Sequence, residues 1–186
     1  MTTADASSFL PYGRALTRAD LEAMPSDDGH RYELIDGVLI VSPSPRHLHQ
    51  RVAARLHLIL HAAAADELEV LFAPFDVVLA NDTVIQPDLI AAPMSDFTER
   101  DLPTAPLLAV EVLSPSTRGV DLMLKRERLQ RAGCPHYWLV DPDEPSVTAL
   151  ALYDGAYRET AHAAADETFC VTAPFPVSFT PTSLVD

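Results

Sequence analysis

The sequence predicts an α/β fold in which a mixed β-sheet is flanked by helices. Leu107 to Leu113 (LLAVEVL) is a nearly continuous apolar run, as expected of a central strand covered on both faces. Leu48, Val52, Leu56 and Leu60 recur every fourth residue, the period of a helix with one face on a core. Along the chain the elements run helix, hairpin, helix, strands, helix, strand, an order that suits helices packed on a sheet.

Residues 1–12 are expected to be loose. Thr17 is placed to cap a short helix, with Asp20 at its third position as a capping-box acid. Arg31 to Val41 (RYELIDGVLIV) sets β-branched residues around Asp36-Gly37, a strong hairpin turn pair. Pro43 and Pro45 stop the second strand, and the four-residue period begins at Arg46. Val70 to Leu79 and Thr83 to Gln86 read as strands around an Asn81-Asp82 turn. Ser114-Pro115-Ser116 ends the central strand, and Val120 to Ala132 reads as a helix terminated by Gly133. Tyr137 to Val140 is a further buried strand closed by Asp141-Pro142, and two late strands flank Asp154-Gly155. No linker or repeat divides the chain. A single domain over residues 1–186 is therefore expected, its core at about 17–142 and its later strands in 143–186.

The chain has 186 residues, of which 48% are hydrophobic and 22% charged, so it can bury a core and wholesale disorder is excluded. No apolar run approaches the roughly 20 residues of a membrane helix. MTTADASSFL lacks the basic start and apolar stretch of a signal peptide, so a cytoplasmic location with no membrane partner is expected. Cys134 and Cys170 are too few and too far apart for a disulfide framework or a zinc site, and both read as buried thiols. The net charge of −14 opposes contact with a polyanion, but it is unevenly spread. Asp141 to Asp186 hold eight acids against Arg158 alone, which is half of the excess. Gly37 to Ala65 contain no acid but hold Arg46, Arg51 and Arg55, and a second cluster joins Arg118, Lys125, Arg126, Arg128 and Arg131. Two local basic faces are expected, with ordinary solvated helix faces as the alternative.

Glu111 carries the most information. It stands in a strand otherwise made of Leu, Ala and Val, where a lone carboxylate is costly to bury. Such an acid is protonated, paired with a cation, or bound to a metal. Asp88 follows Pro87 at the end of a hairpin, and two carboxylates on neighbouring strands can share a hard cation such as Mg²⁺. Lys125 is the only lysine beside twelve arginines, on the helix after the Glu111 strand, and an ammonium can aim a point charge at a water or phosphate. A solvated helix position is the plainer reading of Lys125. Asp121 reads either as the first-turn acid of its helix or as an i, i+4 partner of Lys125. His57 and His61 have metal-ligand spacing, yet beside Arg55 and a run of alanines an exposed helix face is favoured. Trp138 reads as core packing.

Several segments together match one pattern: Tyr32 to Gly37, Ser44-Pro45-Arg46-His47, Gln86 to Leu89, Glu111 to Arg118 (EVLSPSTR) and Tyr137 to Pro142. In them the chain resembles the Uma-two family of restriction endonucleases, a branch of the PD-(D/E)XK nuclease superfamily. The resemblance implies a restriction-endonuclease-like core. It makes Asp88 and Glu111 the metal-binding acids, joined by the backbone carbonyl of Val112, with Mg²⁺ or Mn²⁺ as the cofactor. It makes Lys125 the catalytic lysine, displaced to the helix because the superfamily's usual position is here Leu113. Glu33 resembles an additional acid near such sites, otherwise a solvent-facing hairpin residue. His47 resembles the histidine of the SPRH motif, otherwise a helix-start or packing residue. Leu129 stands where the family often has Tyr, which puts a phenol's role in doubt. The implied partner is nucleic acid, with DNA favoured and a homodimer suited to cutting two strands. The implied reaction is hydrolysis of phosphodiester bonds. The alternatives are a nuclease-fold binding module that does not cleave, and a structural oligomer.

Overall fold

The protein is described by a computed structural model covering residues 13–24, 29–116 and 118–186; the expectation of a loose start over 1–12 falls outside them. The chain opens with a short helix α1 (Arg18–Glu22), the hairpin β1 (His30–Ile35) and β2 (Val38–Pro43), and the long helix α2 (His47–Ala63). Five strands follow: β3 (Leu68–Phe72), β4 (Asp76–Ala80), β5 (Thr83–Ile85), β6 (Leu89–Pro93) and β7 (Asp101–Leu102). The central strand β8 (Leu108–Val112) leads through a π-helical segment, Val120–Lys125, into α3 (Arg126–Arg131). Then come β9 (His136–Asp141), β10 (Ser146–Tyr153), β11 (Ala156–Ala164), the small hairpin β12 (Phe169–Val171) and β13 (Val177–Phe179), and α4 (Thr182–Val185).

These strands form two main sheets. One has the order β2-β1-β5-β4-β7 and the other β11-β10-β9-β8-β6-β3. The second is mixed, because β8 runs parallel to β9 but antiparallel to β6. All five residues of β8 are buried, as its apolar run requires. Strand alternation divides that sheet into two faces. Leu89, Ala91, Leu108, Val110 and Val112 pack on the inner stripe of α2, made of Val52, Leu56 and Leu60, together with strands from the C-terminal region. Ile90, Ala92 and Ala109 face the other way, against Ile35, Val77 and Ile85 of the first sheet and Leu129 of α3. Residues 143–186 therefore widen the main sheet and close its α2 face. Among the described residues no helix is long and apolar enough to cross a membrane.

Two turns form as the sequence requires. Asp36 and Gly37 both take positive φ, as do Asp154 and Gly155, the backbone of a two-residue hairpin loop. The Asp20 carboxylate accepts hydrogen bonds from the Thr17 N–H and hydroxyl, each 2.8 Å, at the start of α1.

Elsewhere the structure departs from expectation. Val70 to Leu79 is not one strand: β3 and β4 lie in different sheets, split at Pro74, which has no N–H to give a ladder. The helix expected at Val120 starts in π-helical form, with Asp121 and Lys125 inside and Met123 70% exposed. The β12–β13 hairpin was not anticipated. Cys134 is buried as expected, but Cys170 is exposed, because its β12 neighbour Phe169 takes the inward position.

Candidate active site

The two sheets meet where the chain leaves β5 and enters β6, and the polar residues gather at that passage. Asp88 shares the face of Ile90 and Ala92, because side chains alternate along a strand. The antiparallel register pairs Leu89 with Val110, so Asp88 comes opposite Glu111. The Val112 N–H donates to Asp88 Oδ2 at 2.8 Å and ties the two strands together at that point. Glu33 and Ile35 share a face of β1 turned toward this sheet, and the π-helical segment brings Lys125 and Asp121 over the same spot. Four acids and one lysine, all buried, are thus drawn from four separate elements.

Lys125 is the hub. Its Nζ lies 2.8 Å from Glu33, 3.2 Å from Glu111 and 3.5 Å from Asp121. These are ion pairs off the hydrogen-bonding directions, for neither Lys125 Nζ nor the oxygens of Glu111 make a directed hydrogen bond. Glu33 also accepts the Gln86 N–H at 2.7 Å. Arg31, on the same face of β1 as Glu33, lies 3.2 Å from Asp88 and 3.6 Å from Glu33. His49 Nε2 sits 3.0 Å from the second oxygen of Asp88.

The electrostatics follow from this packing. Burial drives the Glu111 carboxyl well above the ordinary glutamate range, more than Lys125 can draw it back. Burial also opposes the charge on Asp88, but the His49 hydrogen bond and the charges of His49, Arg31 and Lys125 together hold it below the usual value. Burial works against the Lys125 ammonium too, yet Glu111, Glu33 and Asp121 raise it, so it stays charged. Glu33, Asp88, Glu111 and Asp121 thus share the compensation of Lys125 and Arg31, with His49 beside Asp88, in a site largely closed to water.

A cleft of about 830 Å³ opens onto one side of this cluster. Arg31, His49, Asp76, Gln86 and Asp88 line it, between walls formed by residues 43–46, 72–74 and 114–116. Glu111 and Lys125 lie behind, out of reach of solvent.

Asp88, Glu111, Lys125 and Glu33 are therefore brought together, with the Val112 backbone beside Asp88. His47 is not. It is exposed at the first residue of α2, and two residues along a helix turn a side chain to nearly the opposite side, so it faces away from His49. His49 takes the place at the site. Its spacing from Val52, Ala53 and Leu56, at i+3, i+4 and i+7, puts it on the buried stripe of α2, a signal present in the sequence. Arg31 could have been found by its two-residue spacing from Glu33 on one strand. Among the described residues His57 joins no group of metal-ligating side chains: its Nε2 lies 2.9 Å from the Val70 carbonyl and its ring stacks on His61. Arginines of the two basic runs also make contacts within the molecule, several of them at its surface. Arg51 and Arg55 donate to the carbonyls of Val185 and Ser183, while Arg118, Arg128 and Arg131 pair with Asp141, Asp36 and Glu127.

The family model described as Uma2, putative restriction endonuclease, matches residues 18–184. The chain belongs to the Uma2 family. Its fold is also that of a crystal structure described as a putative nuclease belonging to DUF820, from Anabaena variabilis ATCC 29413. That structure aligns with a TM-score of 0.68 at 17% identity over 91% of this chain and 97% of its own. At so low an identity the likeness shows the fold, which is the restriction-endonuclease-like α/β architecture expected from the sequence. No curated protein sequence matches the chain.

The Uma2 resemblance implies a divalent cation, and the residues present fit one. Glu111 offers two buried oxygens with no directed hydrogen bond among the described residues, the Lys125 ammonium 3.2 Å from one of them, opposite a second acid held ionised. Among the described residues no three His, Cys, Asp or Glu side chains converge as a ready-made cage. Two carboxylates completed by a backbone carbonyl and water suit Mg²⁺, which keeps several waters, better than a metal that needs a full protein shell.

Proposed function

We propose that this Uma2 protein is a metal-dependent endonuclease that hydrolyses phosphodiester bonds, with DNA as its substrate. Asp88, Glu111 and the Val112 carbonyl would hold Mg²⁺ or Mn²⁺. Bound there, such an ion makes water nucleophilic near neutral pH and offsets charge developing on phosphorus. The chain's own groups supply the rest. Val112 N–H and His49 fix the Asp88 carboxylate, and Glu33 holds Lys125 behind the two acids, where its fixed positive charge adds to the field of the site.

The observation that carries the reading is Glu111: a fully buried carboxyl with no directed hydrogen bond among the described residues, across from Asp88, which lines the cleft. The test is cleavage of plasmid DNA with Mg²⁺ or Mn²⁺ by the wild type, Glu111→Ala and Asp88→Asn. Wild type should cut only with the metal, and both variants should lose at least about a hundredfold in rate. Cutting by Glu111→Ala at the wild-type rate overturns the assignment.

A second reading, a nuclease-fold binding module that does not cleave, draws support from one observation: Arg31 and Lys125 already lie on the carboxylates. Titration with Mn²⁺ separates the two. The enzyme binds the ion through Asp88 and Glu111, whereas the inert module shows no binding that these residues control.

A further inference from the structure

The two cations of the cluster are held very differently. Lys125 has 0% exposure and is enclosed by Glu33, Glu111 and Asp121. Arg31 is 21% exposed, with one side in the cleft. Its contacts are long: 3.2 Å to Asp88, 3.4 Å to the Gln86 carbonyl and 3.6 Å to Glu33. A well-made guanidinium–carboxylate fork closes to about 2.7–2.9 Å with two parallel bonds. Arg31 instead spreads one charge over two acids and fits neither closely. It stands on Asp88, one of the two acids proposed to take the metal, and its charge also acts on Glu111. The other Asp88 oxygen accepts the Val112 N–H and faces His49, so a divalent cation would compete with Arg31 for the oxygen that the guanidinium covers, where the two charges repel.

We propose that Arg31 is a displaceable stand-in for the metal: a positioning residue that compensates Asp88 and Glu33 until a divalent cation arrives, then turns into the cleft. There its planar donors are free to meet a phosphate oxygen. Lys125, sealed behind, remains in place. This inference rests on the metal-dependent reading above and adds a coupling between cation entry and the cationic lining of the cleft. The move is a side-chain rotation of one strand residue at the cleft edge and needs no rearrangement of the sheets.

The test uses the whole protein and Mn²⁺ as the probe. Isothermal titration compares the wild type with Arg31→Met, Arg31→Lys and Asp88→Asn. Removing the competitor should tighten Mn²⁺ binding by roughly tenfold or more in Arg31→Met, with Arg31→Lys between it and the wild type. A merely structural arginine predicts unchanged or weaker binding, because its loss would loosen the acids it organises. Should Arg31→Met fail to fold, the wild type still decides the matter. Phenylglyoxal labelling with peptide mapping should show Arg31 becoming several-fold more reactive when Mn²⁺ is added. Binding by the wild type that Asp88→Asn abolishes, with no gain in Arg31→Met and no rise in Arg31 labelling, overturns the inference and leaves the nuclease reading standing. Absence of Mn²⁺ binding in every variant, the wild type included, overturns both.

Discussion

Glu111 and Lys125 make the site's chemistry a matter of charge placed in a dry interior. Breaking a buried pair from one side leaves the other charge stranded, at a cost of about 3–5 kcal/mol. Lys125→Met should therefore lose that much stability in denaturant melts, since three acids surround the ammonium. The double variant Lys125→Met/Glu111→Gln should regain part of the loss, with a coupling of about 1 kcal/mol or more; strictly additive losses would contradict the pairing. Glu111 also sets a pH dependence. Its folded-state pKa is raised from 4.5, so the native protein keeps a proton that the unfolded chain has shed. The stability it contributes is complete below 4.5 and is lost as pH rises through the folded value. Without metal, wild type and Glu111→Gln should melt alike at low pH and diverge above 4.5, the wild type becoming the weaker. Asp88 acts oppositely and lower: its contribution is present above 3.8 and lost as pH falls through its folded value, so the two windows separate. A wild-type-minus-variant difference that stays constant above pH 4.5 would show that burial does not govern Glu111. Glu111 was legible in the sequence because an acid among aliphatics stands out. Arg31 and His49 left only fainter marks, a two-residue spacing from Glu33 and a place on the buried stripe of α2, whose meaning depends on the facing strand or helix.

At the scale of elements, hairpins and the central strand were readable because their determinants are local. Asp36-Gly37 and Asp154-Gly155 bend as their residue types require, and β8 is as buried as its composition demands. The division of strands between two sheets was not readable, since it depends on partners far along the chain: β4 pairs in parallel with β7, and β3 antiparallel with β6. The two turns also offer a controlled comparison. Gly37 and Gly155 have similar positive φ, 74° and 77°. A Cβ on Gly155 meets nothing within 4 Å, whereas on Gly37 it comes 2.6 Å from the Ala15 Cβ, beneath the start of α1. Gly155→Ala should cost about 1 kcal/mol for the left-handed backbone alone. Gly37→Ala adds a backbone-anchored clash and should cost distinctly more, by thermal or urea melts. Equal losses at the two turns would mean that the segment before α1 shifts freely and does not brace the hairpin.

For the whole molecule the question is how a body of net charge −14 approaches a polyanion. Among the described residues Arg14, Arg18, Arg31, Arg46, Arg118, Arg128, Arg131 and Arg158 pair with carboxylates. Arg51 and Arg55 are engaged by carbonyls at the C-terminal end. Some arginines of the basic runs meet acids brought from elsewhere in the chain, Arg46 with Asp143, Arg118 with Asp141 and Arg128 with Asp36, which composition alone could not reveal. Such pairs offset part of the charge that could displace counterions from DNA, and each phosphate contact contributes a slope of about −0.9 in a plot of log affinity against log salt. Binding of a short duplex, with both acids intact and Mn²⁺ present, should show a shallow slope of about −1 to −3 and should weaken sharply when the metal is chelated. Fluorescence anisotropy across a salt series measures both. A slope steeper than about −5, unchanged by chelation, would reveal a basic docking face formed when the internal pairs open, and would move recognition from the metal-bearing cleft to the arginine clusters.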